Sequence, residues 1–225
     1  MRIIIAGAGR GGLSLGIHLQ RLGHAVTILD RDAQIAQRAS EEHGIVALAG
    51  DATDAGLLRQ ADPARADAVL AMLHRDADNL AVALLARALG AKRIMVRMRD
   101  PEYRGVYEEV GIRQILSETE VLIGALATAV EHEAVQHSMV LGSGEAVAVE
   151  LEIPKSADVI GRSVQEVAAH KGFPRSCVVA GMALDGQVQA PRGGSVFEAG
   201  MRILVVAARE DLSRAISFFL GGGEA

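Results

Sequence analysis

Short apolar runs alternate with segments of helical periodicity through the first half of the chain. Runs rich in β-branched residues and bounded by glycine or polar residues predict buried strands. The predicted strands cover residues 2–6, 25–30, 45–50, 68–72, 93–98 and 112–116. Apolar residues three and four positions apart predict helices over residues 12–22, 33–43, 55–61, 78–89 and 102–110. Because strands and helices alternate, we predict a Rossmann-like, doubly wound parallel sheet with helices on both faces, an α/β fold.

A longer amphipathic segment follows the sixth predicted strand. Residues 118–137 are predicted as one long crossover helix, whose apolar stripe consists of Val121, Leu122, Ala125, Leu126, Ala129 and Val130. The sequence Leu141-Gly142-Ser143-Gly144 follows, and glycine-rich breaks of this kind favour a domain boundary. We therefore predict a first domain over residues 1–140, which includes the crossover helix, and a second domain over residues 145–225.

The second predicted domain has shorter elements. Strands are predicted at residues 146–153, 177–183, 187–190 and 203–207, and helices at residues 163–170 and 209–220. This mixture predicts a small α+β domain.

Composition and charge exclude several classes of protein. A net charge of −5 and an aromatic content of 3% provide neither a basic surface for nucleic-acid backbones nor stacking platforms for bases, so we expect no nucleic-acid partner. The longest apolar run, residues 121–130, is half of the roughly 20 residues that a membrane-spanning helix needs. No secretory signal pattern follows Met1. We expect a cytoplasmic protein with no membrane span of its own.

A glycine-rich motif connects the first predicted strand to the first predicted helix. It consists of Gly7, Ala8, Gly9, Arg10, Gly11 and Gly12. In this context Gly7 permits a tight turn, Gly9 lets the backbone approach a pyrophosphate, and Gly12 lets helix and strand pack closely. The free N–H groups at the start of the helix face the anion. The motif therefore predicts a nucleotide site.

Acidic residues follow the second and third predicted strands. Asp30 ends the second strand, 18 residues after Gly12, where its carboxylate can bind the ribose hydroxyls of an adenosine. Arg31 next to it could favour a 2′-phosphate, but Asp30 would repel one. After the third strand, Asp51, Ala52 and Thr53 would border the same crevice; alternatively, Thr53 or Asp54 caps the next helix.

These motifs, in this order, closely resemble the RCK family, the regulators of potassium conductance, and within it the peripheral subunits of Trk/Ktr-type potassium uptake systems. The resemblance rests in the first half on the glycine motif with Arg10, on Asp30, Gly50-Asp51-Ala52-Thr53, Asp78-Asn79, Arg97, Asp100-Pro101 and Gly111-Ile112. In the second half it rests on residues 149–154 and 159–164, Pro191 and residues 197–200. It covers nearly the whole chain.

The resemblance implies a regulatory rather than an enzymatic role. It implies that the Rossmann half binds ATP, ADP or NAD(H), and that homodimers build a ring that docks on the membrane pore subunit at the cytoplasmic face. It assigns the glycine loop and Arg10 to the phosphates, Asp30 to the ribose and residues 51–53 to the adenosine side. Leu73 belongs to the same predicted site, and Arg97 lines the site or a dimer contact.

The resemblance also implies a divalent ion. Some relatives hold Mg²⁺ or Ca²⁺ beside the phosphates through a glutamate that opens the crossover helix. Glu118 occupies that position here, although Ser117 replaces the usual proline. Glu118 is therefore a candidate metal ligand.

Three alternatives remain open from the sequence. The same fold carries NAD as a hydride carrier in dehydrogenases, and His74 after the fourth strand is the best candidate for a proton-transfer group. The chain could instead regulate another cation transporter or an antiporter, or bind a cyclic dinucleotide in its second domain.

His132 and His137 lack the spacing of a helical zinc motif, and we interpret them as part of a solvated helix face.

Overall fold

The computed structural model describes residues 1–142 and 144–221, which form two compact units, Met1–Thr119 and Glu120–Ala225. Ser143, part of the predicted break, and residues 222–225 of the predicted second domain lie outside the described residues. No helix within the described part of the chain is long and apolar enough to cross a membrane.

The first unit is a parallel sheet with alternating helices. Its elements are β1 Arg2–Ala6, α1 Arg10–Arg21, β2 Ala25–Asp30, α2 Ala33–His43, β3 Val46–Ala49, α3 Ala55–Gln60, a 3-10 turn Pro63–Arg65, β4 Ala68–Ala71, α4 Asp76–Ala88, β5 Ile94–Met98, α5 Tyr103–Glu109 and β6 Gln114–Ser117. The sheet order is β3-β2-β1-β4-β5-β6, and every pairing is parallel. The predicted doubly wound fold is confirmed.

Strand β1 at the centre of the sheet contributes to two separate cores. Ile3 and Ile5 point to one face, where they pack in a cluster that also contains Ile28. Ile4 points to the other face and packs in a cluster with Leu58 and other side chains from the opposite helical layer. Because neighbouring strand residues point to opposite faces, a continuous apolar run buries both sides of the sheet.

Local sequence signals set the ends of the helices in this unit. The carboxylate of Asp32 accepts hydrogen bonds from the N–H groups of Gln34 and Ile35 at the start of α2. Helix α2 ends at His43 and is followed by Gly44, whose left-handed conformation, with φ of 65°, is accessible to glycine without strain. These caps satisfy backbone groups that a helix leaves unpaired at its ends.

The second unit contains an antiparallel sheet. Its elements, after the helix α6 Glu118–Glu131 that leads into it, are β7 Val135–Leu141, β8 Ala146–Glu152, α7 Val164–Ala168, β9 Val178–Leu184, β10 Gln187–Gln189, β11 Arg202–Ala208, a 3-10 turn Arg209–Asp211 and α8 Leu212–Leu220. The strand order is β10-β9-β11-β8-β7. Phe197 and Phe219, both fully buried, are in contact at a centroid distance of 5.6 Å within its core. This is the predicted small α+β domain.

The predicted crossover helix over residues 118–137 is wrong at its C-terminal end. Helix α6 stops at Glu131, and residues Val135–Leu141 form β7, which pairs antiparallel with β8. The reason is tertiary: as a strand, this segment gains backbone hydrogen bonds to β8 and buries Val135 in the core of the second unit. The strands Val135–Leu141 and Ala146–Glu152 are therefore neighbours in one sheet, and the division into domains at residues 1–140 and 145–225 stays a prediction.

Candidate functional site

A cleft of about 760 Å³ lies at the carboxyl ends of the parallel strands in the first unit. The predicted site residues that line it are Gly7, Gly9, Arg10, Gly11, Asp30, Arg31, Asp51, Ala52, Thr53, Leu73, Arg97 and Glu118. Ala8 and Gly12 are not among the lining residues; both are buried within the β1–α1 connection. The structure thus brings residues from six chain segments to one opening.

The glycine loop is shaped by close backbone contacts. Gly7 has a φ of 104°, and a Cβ atom there would lie 2.9 Å from the carbonyl oxygen of Met72. A Cβ atom at Gly12 would lie 1.9 Å from the carbonyl oxygen of Gly7, so no larger residue fits without moving the backbone. At Gly9 a Cβ atom would meet nothing within 4 Å. The loop therefore leaves open space beside Gly9, at the start of α1.

The start of α1 presents a positive end to the cleft. Gly9 precedes the helix, no side chain caps it, and its first turn contains no acidic residue. Free N–H groups and the helix dipole favour an anion at such a position. Arg10, the first residue of α1, is exposed and has no hydrogen-bond or ion-pair partner within the described residues, which leaves its guanidinium group available to an anion.

Asp30 connects the glycine loop to the end of β2. Its Oδ2 accepts a hydrogen bond of 2.6 Å from the N–H of Ala8, and its Oδ1 accepts one of 2.9 Å from the N–H of Asp32. Each carboxylate oxygen retains a second acceptor site, since a carboxylate offers about four lone pairs. Asp30 can therefore hold the loop and still accept hydroxyl protons from a ligand in the cleft.

The carboxylate that follows β3 is also oriented by its neighbours. Asp51 Oδ1 accepts hydrogen bonds from the hydroxyl of Thr53 at 2.7 Å and from its N–H at 2.8 Å. These bonds, with a smaller contribution from Arg31, hold the pKa of Asp51 below its ordinary value. Asp54, not Thr53, caps α3 by accepting from the N–H of Leu57. Asp51 and Thr53 thus lie in the cleft and are not used as helix caps.

The other half of the cleft is organised by Asn79 in α4. This fully buried amide accepts a 2.7 Å hydrogen bond from the N–H of Leu73 and donates to the carbonyl oxygens of Leu73 and Arg97 at 3.1 and 2.9 Å. It therefore fixes the end of β4 against β5. This one side chain thus bonds to the backbone of both cleft residues, Leu73 and Arg97.

Arg97 and Glu118 face each other at the edge of the cleft. Arg97 Nε lies 3.2 Å from Glu118 Oε2 and forms an ion pair with it. The N–H is poorly aligned for a hydrogen bond, and this buried nitrogen has no well-formed acceptor among the described residues. Arg99 Nε lies 3.6 Å from the same carboxylate oxygen, and the Arg99 guanidinium group also contacts the ring of His74 at 3.0 Å.

The residues around Glu118 do not form a recognisable metal site. Its carboxylate is paired with two guanidinium groups, which compete with a cation. No cluster of three or more His, Cys, Asp or Glu side chains is placed to hold a metal ion in the described ranges 1–142 and 144–221. The role of Glu118 as a metal ligand therefore stays a prediction.

Several lining residues were not predicted from the sequence. The unpredicted lining residues are Asp32, Ile35, Met72, Arg75 and Asp78. His74 also lines the cleft, as the sequence suggested. Asp32 carries a clear signal as the N-cap of α2, but a cap does not by itself indicate a binding role. Met72 and Arg75 line the cleft because they follow the end of β4, and only the strand order places that end beside the glycine loop.

The geometry gives the cleft two chemically different halves. The β2–β3 side carries the carboxylates of Asp30 and Asp51, which suit hydroxyl donors. The central α1 N-terminus with Arg10 carries positive groups, which suit phosphate, and the β4–β6 side adds Arg97, which is paired with Glu118. Ligands of open α/β sheets bind in this crevice beside the point where the strand order reverses, here between β1 and β4.

Family models match both halves of the chain. The TrkA-N domain model matches residues 3–118, and the TrkA-C domain model matches residues 148–220. Similar curated proteins are named Trk system potassium uptake protein TrkA or its homologs. The Archaeoglobus fulgidus homolog is 30% identical over 97% of this chain and 50% of its own length. The Methanothermobacter thermautotrophicus homolog is 27% identical over 98% of this chain and 100% of its own length.

Other relatives are longer than this chain. The Azorhizobium caulinodans TrkA protein is 28% identical over 97% of this chain but only 47% of its own length. The chain thus spans about half the length of some curated relatives and the full length of another.

Solved structures described as RCK or TrkA-N domains and as the GsuK channel share the fold. The GsuK RCK domain aligns with 100% of this chain and 48% of its own length, with a TM-score of 0.66 and 18% identity. The GsuK channel bound to NAD aligns with 100% of this chain and 40% of its own length, with a TM-score of 0.65 and 19% identity. The TrkA-N domain of the Escherichia coli inner membrane protein ybaL matches 58% of this chain and 94% of its own with a TM-score of 0.52 and 18% identity.

Proposed function

The chain belongs to the TrkA-N domain family and carries a TrkA-C domain after it, and on this premise we propose that it is a nucleotide-binding regulatory subunit of a potassium uptake system. The observation that carries the proposal is the convergence of the glycine loop, Arg10 and the Asp30 carboxylate on one cleft. The names of the relatives support a potassium-transporter pore subunit as the partner.

In the proposed complex, an adenine nucleotide spans the cleft from β3 to the start of α1. The ribose hydroxyls donate to Asp30, and the adenosine side faces Asp51 and Thr53. The phosphates lie beside Gly9, where the N–H groups of α1 and the guanidinium group of Arg10 neutralise them. ATP, ADP and NAD(H) share these groups, and the NAD named with the GsuK channel supports NAD as a candidate.

Regulation would follow from unequal binding to two shapes of the assembly. A ligand shifts an equilibrium between two conformations only by its difference in affinity for them. We propose that homodimers, assembled into a ring at the cytoplasmic face of the pore subunit, change shape according to which nucleotide occupies the cleft. The number of phosphates is the chemical difference that the positive half of the cleft can distinguish.

This proposal gives the cleft a sensing role rather than a catalytic one. His74 lines the cleft, but its ring contacts the guanidinium group of Arg99. None of the described residues that line the cleft is a lysine or a tyrosine. We assign no catalytic residue, and the names of the relatives refer to potassium uptake and not to an enzymatic activity.

The test is isothermal titration of the full chain with ATP, ADP, NAD⁺, NADH, NADPH and 2′-deoxy-ATP. We expect ATP, ADP or NAD(H) to bind, and 2′-deoxy-ATP to bind roughly tenfold more weakly than ATP because it lacks a hydroxyl donor to the charged Asp30. NADPH should bind more weakly than NADH, since Asp30 repels the 2′-phosphate. Absence of binding by every nucleotide would contradict the proposal.

A pair of arginine variants tests the phosphate assignment. Arg10→Ala should lower the affinity for ATP and ADP by about tenfold, because a charge-assisted hydrogen bond to phosphate is lost. Arg21→Ala is the matched control, because this exposed arginine lies in the last turn of the same helix and does not line the cleft. Equal affinities of both variants and the unaltered chain would remove Arg10 from the site.

A further inference from the structure

The ion pair between Arg97 and Glu118 places an internal anion inside the cleft. Both side chains line it, so the cleft contains a carboxylate held by the cation nearest to it. The pair is asymmetric: the Arg97 side chain is only 20% exposed, whereas that of Glu118 is 50% exposed. The carboxylate therefore has the freer side chain of the two, and it can leave more easily than the guanidinium group.

The Arg97–Glu118 contact is also imperfect. The buried Nε–H of Arg97 finds no well-aligned acceptor among the described residues, even though a carboxylate oxygen lies within 3.2 Å. A buried donor without a good acceptor costs about 1–3 kcal/mol in general. A phosphate oxygen that enters the cleft can supply the missing geometry, because phosphate and guanidinium groups match as bidentate partners. Exchange of the Glu118 carboxylate for a phosphate group would therefore give the Arg97 Nε–H a better hydrogen-bond acceptor.

Glu118 has a second partner available after such an exchange. Arg99 Nε lies 3.6 Å from the same Oε2 atom, so the carboxylate remains paired when Arg97 turns to another anion. Thr119 donates a 2.7 Å hydrogen bond to the carbonyl oxygen of Arg99 and keeps the start of α6 beside the end of β5. The exchange therefore leaves no unpaired buried charge.

We propose that Glu118 is an internal competitor of nucleotide phosphate for Arg97. In the free cleft the carboxylate occupies Arg97, and an anionic nucleotide must displace it before its outer phosphate can bind there. Glu118 thereby lowers the affinity for phosphorylated ligands and is a specificity-determining residue. Because Glu118 is the first residue of α6, the exchange ties phosphate binding to the start of the helix that leads to the second unit. This inference rests on the proposed nucleotide-binding function.

The experiment is a double-mutant cycle on the full chain, read as dissociation constants for adenosine, ADP and ATP in EDTA. Glu118→Gln should tighten ADP or ATP binding about two- to fivefold, the value of a partly exposed ion pair, and leave adenosine unchanged. In the Arg97→Met background, Glu118→Gln should not increase the affinity for ADP or ATP, because the guanidinium group for which carboxylate and phosphate compete is absent. Arg97→Lys, which keeps the charge, should recover part of the affinity that Arg97→Met loses.

Asp78→Asn is the matched control for the loss of a negative charge. Asp78 also lines the cleft, but it pairs with Arg75 at 3.9 Å rather than with Arg97. An equal gain from Asp78→Asn, or a gain from Glu118→Gln that persists with Arg97→Met, would show general repulsion and overturn the proposal. Unchanged or weaker binding by Glu118→Gln in EDTA would overturn it as well. If a parallel titration with Mg²⁺ then shows weaker binding by this variant only when Mg²⁺ is present, Glu118 is a metal ligand instead.

The outcomes separate this inference from the proposed function. If the unaltered chain binds no nucleotide at all, both fail. If it binds NAD(H) but neither ADP nor ATP, the competition fails and the nucleotide site stands. If it binds them with normal affinity, but Glu118→Gln gives no gain, the competition fails and the nucleotide site stands.

Discussion

At the residue scale, the glycines of the β1–α1 connection have different physical roles. Gly7 and Gly12 are required by the protein itself, because a Cβ atom at either would approach a backbone carbonyl oxygen to within 2.9 Å and 1.9 Å. Gly9 meets no protein atom when a Cβ is added. Packing therefore does not require a glycine at position 9, whereas the proposed phosphate position beside it does, which makes Gly9 a selective test of the proposed site.

Gly9→Ala should impair binding without unfolding the protein. Its φ of −56° is accessible to alanine, and the cost of alanine at a helix N-cap is about 1 kcal/mol or less relative to glycine. The added methyl group would occupy the space that phosphate needs. We expect ATP and ADP affinity to fall at least about tenfold, measured by titration calorimetry, with the unfolding midpoint nearly unchanged.

Gly105→Ala is the matched control for Gly9→Ala. Gly105 lies in α5, outside the cleft, and a Cβ atom there also meets nothing within 4 Å. Alanine inside a helix should raise stability by up to about 1 kcal/mol without any effect on affinity. Normal nucleotide affinity in Gly9→Ala would place the phosphates elsewhere.

At the element scale, Asp76 at the start of α4 connects three elements. Its buried carboxylate accepts hydrogen bonds from the N–H groups of Arg99 at 3.1 Å and Asp100 at 3.0 Å, just after β5. The hydroxyl of Tyr107 in α5 lies 3.0 Å from the Asp76 carbonyl oxygen and 3.3 Å from its carboxylate. These bonds position the backbone of Arg99, and through it the edge of the cleft.

Tyr107→Phe should weaken the first unit. The substitution leaves the buried Asp76 acceptors short of one donor, which costs about 1–2 kcal/mol of unfolding free energy in denaturant titration. Burial and the Asp76 carboxylate raise the pKa of Tyr107 above its usual 10.0. The stability linked to its proton is thus present below pH 10.0 and is lost as the pH rises further, so the unaltered chain should lose stability more steeply there than the variant.

Tyr103→Phe controls for the loss of a tyrosine hydroxyl in the same helix. Tyr103 is only partly buried, and its hydroxyl has no hydrogen-bond partner within the described residues. We expect its unfolding free energy to stay within about 0.5 kcal/mol of the unaltered chain. Equal destabilisation by the two variants would remove the structural role assigned to the Tyr107 hydroxyl.

The sequence predicted the elements of the first unit better than the transition between units. Residues 2–6, 25–30 and 33–43 have the predicted bounds, because β-branched runs, an N-cap and a C-terminal glycine are local signals. The first three residues of the strand Val135–Leu141 were predicted as helix and the strand itself was not predicted, because its pairing with β8 is a tertiary interaction that helical periodicity does not reveal. For the same reason the cleft residues Met72 and Arg75 were not predicted, whereas the glycine motif and Asp30 carry their own sequence pattern.

At the scale of the whole molecule, α6 carries an unusually apolar exposed surface. Its small residue Gly124 approaches the side chain of Val140 in β7, and its Thr128 is buried. The large apolar side chains of this helix are 55–85% exposed: Val121, Leu122, Ile123, Leu126 and Val130. A contiguous apolar surface of this kind marks an interaction site in soluble proteins. It includes most of the stripe predicted from the sequence, and we propose that it packs against a second copy of the chain.

Leu126→Glu should convert the proposed homodimer into a monomer. In a two-fold interface the substitution removes two buried leucines, each worth about 1.5–3 kcal/mol, so dimer affinity should fall at least about a hundredfold. The control is Leu22→Glu, because Leu22 is similarly exposed, 60% against 55%, but follows α1. Sedimentation analysis at micromolar concentration should show a dimer or larger assembly for the unaltered chain and Leu22→Glu. A monomeric unaltered chain would contradict the proposal, and loss of assembly in both variants would place the interface elsewhere.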